Sequence, residues 1–100
     1  MATTTKVLFR GAASTSSTTL YTVPASTTTV VSNIAVTNTA ATSATFTINL
    51  DGVALQSGSS VAANTTAYID LKQVLATTKT ITGLASATTV TFHISGVEIA

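Results

Sequence analysis

From Thr28 to Gln56, apolar and polar side chains alternate with the two-residue period of a β-strand, and this stretch constrains the fold more than any other. One face is shared by Val30, Ser32, Ile34 and Val36 in the first strand, and another by Phe46, Ile48 and Leu50 in the second. Asp51-Gly52 then predicts a two-residue type I′ turn into Val53 to Gln56, because this pair accepts positive φ angles. We therefore expect three successive antiparallel strands, a half-buried β-meander, at the centre of the domain.

Charged residues make up 7% of the sequence, against about 25% in an ordinary domain. The formal net charge is +1, and the basic residues are scattered as Lys6, Arg10, Lys72 and Lys79. Because a nucleic-acid surface needs clustered basic side chains, we expect no nucleic-acid partner. The sequence contains no cysteine, which excludes disulfides, thiolate catalysis and cysteine-ligated metals.

The chain has 100 residues, which predicts a single domain over residues 1–100 with one modest core. No apolar run approaches the roughly 18 residues that a membrane helix needs. The first residues, MATTTKVLFRG, lack the apolar core of a secretory signal. The expectation is a protein that folds in a cytoplasm and has no membrane partner.

Short strands are also expected outside the central stretch. They are predicted at Lys6 to Arg10, Leu20 to Val23, Val61 to Leu71, Lys79 to Leu84 and Ala87 to Ile99, the last two as a hairpin. Val7 and Phe9 alternate against Leu8 in the first of them. Gly11 to Thr18 is expected to be a loop and Ser57 to Ser60 a turn, whereas Lys72 to Thr78 fits either a helical turn or a short strand.

The last strand has the most regular alternation, with Val90, Phe92 and Ile94 predicted to face inward. Gly96 follows where this pattern breaks, which predicts a β-bulge. Roughly seven or eight short strands and no convincing helix predict an all-β fold, a single antiparallel β-sandwich of the jelly-roll or Ig-like type.

Few side chains could carry chemistry. Asp51 is accounted for by its turn, Asp70 and Glu98 stand alone in strands, and His93 lies on the polar side of the last strand. Isolated groups of this kind are mostly solvated or hydrogen-bonded, so we predict no catalytic, cofactor-binding or metal-binding residues and no cofactor. Tyr21 and Tyr68 could stack on a sugar, but both are expected to be core or half-buried strand residues.

Two segments resemble a family of small virion structural proteins of tailed bacteriophages. LYTVPASTTTVVSNIAVTNTAATSATFTINLDG, residues 20–52, is similar to their pattern of LYTVPA, a Thr/Val strand, an Asn-Thr-rich turn and an aromatic strand. ITGLASATTVTFHISGVEIA, residues 81–100, is similar to their usual close, which ends in Gly-Val-Glu-Ile. These motifs are structural, so the resemblance implies a fold and a virion setting and carries over no active residue.

The resemblance implies a non-enzymatic capsid decoration (cement) protein that binds the major capsid protein or other virion proteins. A homo-oligomer, with a trimer favoured, and a location in a virion assembled in the host cytoplasm are expected with it. The alternative is a β-module of a tail or fibre, with loops such as Gly11 to Thr18 and Ser57 to Asn64 contacting a glycan. A small hydrolase relying on His93 and Asp70 is the third and least supported class. Because only Pro24 and a few lysines guard the strand edges, we expect neighbouring subunits to cover them.

Overall fold

The computed structural model describes residues 2–100, which form eight β-strands. The strands are β1 (Thr3–Ala12), β2 (Thr18–Thr22), β3 (Thr28–Asn38), β4 (Ala44–Leu50), β5 (Val53–Val61), β6 (Thr65–Leu75), β7 (Thr80–Ala85) and β8 (Val90–Ile99). Among these residues no helix is long and apolar enough to cross a membrane. Thr, Val and Ile dominate the strands because β-branched side chains suit a pleated surface.

The strands form two antiparallel four-stranded sheets. Sheet 1 has the order β1-β8-β3-β6 and sheet 2 the order β2-β7-β4-β5. The β4–β5 hairpin joins two strands of the same sheet. Every other connection crosses from one sheet to the other. The predicted antiparallel β-sandwich is confirmed, and the strand order is that of a jelly roll.

The predicted partners of several strands were wrong. The strand from Thr28 to Asn38 belongs to sheet 1 and pairs with β6 and β8, so it does not form a meander with β4 and β5. Likewise β7 and β8 lie in different sheets and form no hairpin. The Asp51-Gly52 turn is confirmed, with φ angles of 54° and 73° and Leu50 paired with Val53.

The core lies between the two sheets and centres on an aromatic pair. Phe92 of sheet 1 meets Phe46 of sheet 2 edge to face, with ring centroids 6.3 Å apart and planes at 66°. The predicted inward positions in β4 and β8 are confirmed, because Phe46, Ile48, Leu50, Val90, Phe92 and Ile94 are all buried. Sandwich cores of this type are built from the alternate residues of both inner faces.

Bulges in β1 and β3 overturn the predicted faces of those strands. Leu8 is an extra residue between Val7 and Phe9, and it turns inward while Val7 is 46% exposed. Ser32 is likewise unpaired within β3. Val31 is therefore buried where alternation predicted Val30, and the regular pattern resumes at Ile34.

Gly96 is not itself a bulge, which corrects the prediction for β8. It pairs with Lys6 and Val31, directly beside the bulges of the two neighbouring strands, and it continues the inward alternation of β8. A Cβ at this position would collide with the Val30 carbonyl oxygen and lie 2.9 Å from a Leu8 methyl group. Glycine is required here because the backbone of β3 approaches so closely.

Two further segments differ from their predicted structure, one predicted as a turn and one left open between a helical turn and a strand. Ser57 to Ser60 is part of β5, where Gly58 has a φ of 58° and forms a bulge instead of a turn. The strand predicted from Val61 begins at Thr65 and continues to Leu75, so Lys72 to Thr78 is part strand and part turn. Both differences arise because these strands tolerate irregular pairing at the sheet edge.

Replacing Gly96 should destabilise the fold, because the backbone of β3 leaves no room for a side chain at this position. We expect Gly96→Ala to destabilise the fold by about 1–3 kcal/mol, the usual range for overpacking, as measured by urea unfolding. Gly11→Ala is the matched control, because its Cβ would meet only the Phe9 ring at 3.4 Å. Equal stabilities of the two variants would contradict the close approach of β3 to β8.

Candidate interaction surfaces

The residues considered for catalysis do not converge. His93 and Asp70 both face outward on sheet 1, but they lie on strands separated by β3 and in different cross-strand rows. Glu98 faces the interior of the sandwich, so it does not meet the exposed Asp70. Within residues 2–100 no three His, Cys, Asp or Glu side chains form a group that could hold a metal ion.

Glu98 is instead the centre of a polar cluster that joins the two sheets. Its side chain is 14% exposed and accepts hydrogen bonds from the Tyr21 hydroxyl of β2 and the Lys6 ammonium of β1. The Lys6 Nζ to Glu98 Oε1 distance is 3.3 Å. Tyr21 Oη also lies 2.8 Å from Thr29 Oγ1 of β3. Tyr21 is half-buried, as predicted, whereas Glu98 was wrongly expected to be isolated.

The Tyr21–Glu98 contact favours a neutral phenol beside a charged carboxylate. Burial, followed by the hydrogen bond to Glu98, raises the pKa of Tyr21 to about 12. The hydrogen bond from Tyr21, followed by the Lys6 ammonium, lowers the pKa of Glu98 below 4.5 despite its partial burial. The cluster is therefore a structural contact between the sheets, and the pKa shifts of Tyr21 and Glu98 both lead away from neutral pH.

Asn38 performs the equivalent task at the opposite end of the sandwich. It is fully buried, and its Nδ2 donates to the Thr42 carbonyl at 2.8 Å and the Val61 carbonyl at 3.4 Å. Its Oδ1 accepts from the Ala40 amide at 3.0 Å and from the Thr89 hydroxyl at 3.4 Å. One side chain thus ties together two connections, residues 39–43 and 86–89, and the end of β5. Asn38 continues the alternation of the buried residues Ile34 and Val36, and this alternation is the sequence signal that indicates its burial.

Four connections cluster at the Asn38 end. They are residues 13–17, 39–43, 62–64 and 86–89, and backbone hydrogen bonds join Ala13 to Val90, Thr39 to Thr89 and Asn64 to Ala40. The predicted loops Gly11 to Thr18 and Ser57 to Asn64 do meet at this end, although part of each lies in a strand. All four connections consist of Ala, Ser, Thr and Asn.

The charged residues are segregated between the two sheets. The strands of sheet 2 contain none, and their outward positions are mostly Thr, Ser, Asn and Ala. The strands of sheet 1 carry Lys6, Arg10, Asp70, Lys72 and Glu98, of which Arg10, Asp70 and Lys72 lie on its outer face. The remaining pair, Asp51 and Lys79, lies in two turns at 3.7 Å. The sandwich therefore presents one uncharged outer face and one charged outer face.

The outer face of sheet 1 also carries exposed apolar side chains. Tyr68 is 74% exposed and Val74 is 66% exposed, both on β6, and Val7 lies on β1 at the other edge. The prediction of a core or half-buried Tyr68 was wrong, because β6 is an edge strand and its even-numbered residues point away from the core. Exposed aromatic and valine side chains on one face are typical of a contact surface.

All four edge strands are irregular. Register shifts occur at Leu8 in β1, between Thr19 and Tyr21 in β2, twice in β5, and where β6 pairs with the Ser32 bulge. Bulges twist an edge away from further strand pairing. The edges are thus better guarded than their composition predicts, which leaves the outer faces as the more suitable surfaces for association.

No protein-family model matches the sequence, and no curated protein matches it. Among solved structures, the chain is similar to a chain in the crystal structure of the T13 IBDV viral particle, with a TM-score of 0.58 and 12% sequence identity. The similarity covers 97% of this chain and 30% of that chain, so this chain spans less than a third of the length of the viral one. At such low identity the likeness shows a shared fold.

Removing the Asn38 amide should destabilise the connections at the Asn38 end of the sandwich. We expect Asn38→Ala to cost about 1–3 kcal/mol, because the groups that it satisfies lose their partner in a buried site. Urea unfolding measures this loss, and hydrogen exchange should show faster opening of residues 39–43. Thr42→Ala is the control, since its carbonyl, which accepts from Asn38, is retained. A wild-type stability for Asn38→Ala would contradict the proposed role.

The polar cluster predicts stability losses in acid and in alkali. Glu98 has a lower pKa in the folded state, so its contribution is complete above pH 4.5 and is lost as the pH falls through that lowered value. Tyr21 has a raised pKa, so its contribution is complete below pH 10 and is lost as the pH rises through about 12. We expect Glu98→Gln to flatten the acid branch and Tyr21→Phe the alkaline branch of a stability–pH profile. Asp70→Asn is the control for the acid branch, and a flattening equal to that of Glu98→Gln would contradict the assignment.

Proposed function

We propose that the protein is a non-enzymatic structural protein of a virion. The jelly-roll likeness to a chain of a viral particle supports this proposal. The resemblance of residues 20–52 and 81–100 to small tailed-bacteriophage virion proteins supports it independently. The separation of His93, Asp70 and Glu98 on the sandwich gives no support to a hydrolase.

Within the virion, we propose the role of a capsid decoration protein that binds and stabilises the shell of the major capsid protein. The observation that carries this role is the uncharged outer face of sheet 2. Burying an unpaired charge costs several kcal/mol, whereas a hydroxyl costs roughly 1–3 kcal/mol and is easily satisfied. A four-stranded surface of Thr, Ser, Asn and Ala is therefore suited to close contact with another protein. Assembly takes place in the host cytoplasm in this proposal.

The alternative is a structural or host-recognition module of a tail or fibre. The observation that favours it is the cluster of four uncharged connections at the Asn38 end, which could contact a glycan through hydroxyl and amide groups. A glycan array probed with the isolated domain separates the two roles. Binding that is lost in a Thr15→Glu variant would favour the alternative, and an array without signal favours decoration.

Attachment through the uncharged face should depend weakly on salt. Screening acts on charges, with a Debye length of about 10 Å at 0.1 M and 3 Å at 1 M. We expect the protein to stay on purified particles washed at low and at 1 M salt, as measured by quantitative gel analysis of the pelleted particles. Release in step with ionic strength would contradict the uncharged attachment surface, and Arg10 would be the first residue to replace.

A matched pair of variants tests the same surface directly. Thr45→Glu places a charge on the outer face of sheet 2, and Thr15→Glu places one in the 13–17 connection, at two positions that are both exposed. We expect the Thr45→Glu variant to dissociate from the particles and the Thr15→Glu variant to remain bound. Equal retention of both variants would argue against sheet 2 as the attachment face.

A further inference from the structure

We propose that the outer face of sheet 1 binds the same face of a second copy of this chain, around a two-fold axis that runs parallel to the strands. This inference goes beyond the proposed function and does not depend on it. It rests on the cross-strand register of sheet 1, the charges left unpaired on that face, and the shape of the face.

The register arranges the outward side chains of sheet 1 in rows across the four strands. In the order β1, β8, β3, β6, one row is Arg10, His93, Ala35 and Tyr68. The next rows toward the chain termini are Val7, Ser95, Asn33 and Asp70, and then Thr5, Val97, Val30 and Val74. Each row therefore begins on one edge strand and ends on the other.

A two-fold axis parallel to the strands places each row opposite the same row of the second copy. The β1 end of the row then faces the β6 end of its counterpart. Strand β6 of the second copy then overlies β1, and β3 of the second copy overlies β8. Val97 lies over Val30 of the second copy, and His93 over its Ala35. Twisted sheets pack face to face with their strands within about 30° of each other, which permits this arrangement.

Arg10 on the β1 edge and Asp70 on the β6 edge have opposite charges that this arrangement brings near each other. Lys6 is paired with Glu98 and Lys79 with Asp51, which leaves Arg10, Asp70 and Lys72 without an ion-pair partner inside residues 2–100. In the pair, Arg10 lies over the exposed ring of Tyr68 and one row from the Asp70 carboxylate of the second copy. Arginine favours both contacts, because its planar guanidinium stacks on aromatic rings and pairs with carboxylates. The symmetry forms both contacts twice.

The shapes of the two edges are complementary as well. A depression of about 360 Å³ lies near the β1 edge, and its lining includes Thr5, Lys6, Ser32 and Val97. Val74 projects from the β6 edge and is 66% exposed. The two-fold axis places Val74 of the second copy over Thr5, at the rim of this depression.

The size of the face predicts a weak pair. Four strands about 4.8 Å apart and about ten residues long give roughly 600 Å² per copy, at the low end of specific interfaces. The bulged edge strands discourage pairing by sheet extension. Sheet 2 has no charged residues to set a register between two copies. Of the surfaces on this sandwich, the outer face of sheet 1 therefore fits a second copy best.

Light scattering coupled to size exclusion tests the pair, because the chain mass is 10.0 kDa and a dimer has twice that mass. We expect the wild-type mass to rise from monomer to dimer between about 1 μM and 1 mM, the range for a small interface. Val74→Glu should raise the dissociation constant by about tenfold or more, because it buries an unpaired charge. Val53→Glu is the matched control, since Val53 is 68% exposed but lies outside this face, and it should dimerise normally.

Exchange of the charges gives a test that loss of folding cannot imitate. Arg10→Asp alone and Asp70→Arg alone should each remain monomeric, because like charges then meet across the axis. The double variant with both substitutions should dimerise again. A double variant that stays monomeric, or an equal effect of Val74→Glu and Val53→Glu, would overturn the proposal.

The measured mass also separates this inference from the other proposals. A wild-type protein that is monomeric at about 1 mM, or that forms the trimer favoured by the bacteriophage resemblance, overturns two-fold pairing. Dimers that do not bind capsid shells would support the pairing and contradict the decoration role. Monomers that bind capsid shells would support the decoration role and contradict the pairing.

Discussion

The packing of Phe92 against Phe46 across the sandwich is the contact on which the rest of the structure depends. Phe92 lies in β8 and Phe46 in β4, two central strands of opposite sheets, and both rings are almost completely buried. A domain of this length has about 5–15 kcal/mol of stability, and removing one such ring costs about 3–5 kcal/mol. Loss of either ring would thus remove a large part of the stability that holds the two sheets together.

Polar contacts hold the two ends where the core is thin. Asn38 satisfies groups from two connections and from the end of β5 at one end, and the Tyr21–Glu98 contact joins the sheets toward the other. Both use buried groups that are fully hydrogen-bonded, because an unsatisfied polar group would cost more than the core could offset. With the ends fixed internally, few charges are needed for folding. The charges that remain are confined to sheet 1 and two turns, which leaves sheet 2 free for an uncharged contact.

Features of the fold that depend on residues close in sequence could be predicted from the sequence. Features that depend on residues far apart in sequence could not. The inward faces of β4 and β8 and the Asp51-Gly52 turn follow from local alternation and turn chemistry. The bulges at Leu8 and Ser32 reverse a face by inserting one residue, and composition gives no signal for this. The partner of Glu98 is 77 positions away, so an isolated acid was the only local interpretation. The exposure of Tyr68 follows from the place of β6 at a sheet edge, which alternation alone does not specify.

The central claim is that this jelly roll is a repeated structural component of a virion, with an uncharged face toward the shell. Its most direct test is the copy number of the protein in purified particles, measured by quantitative mass spectrometry against the major capsid protein. The account predicts many copies in a fixed ratio to the major capsid protein. A few copies per particle would instead indicate a tail tip or fibre, and absence from the particles would contradict the account.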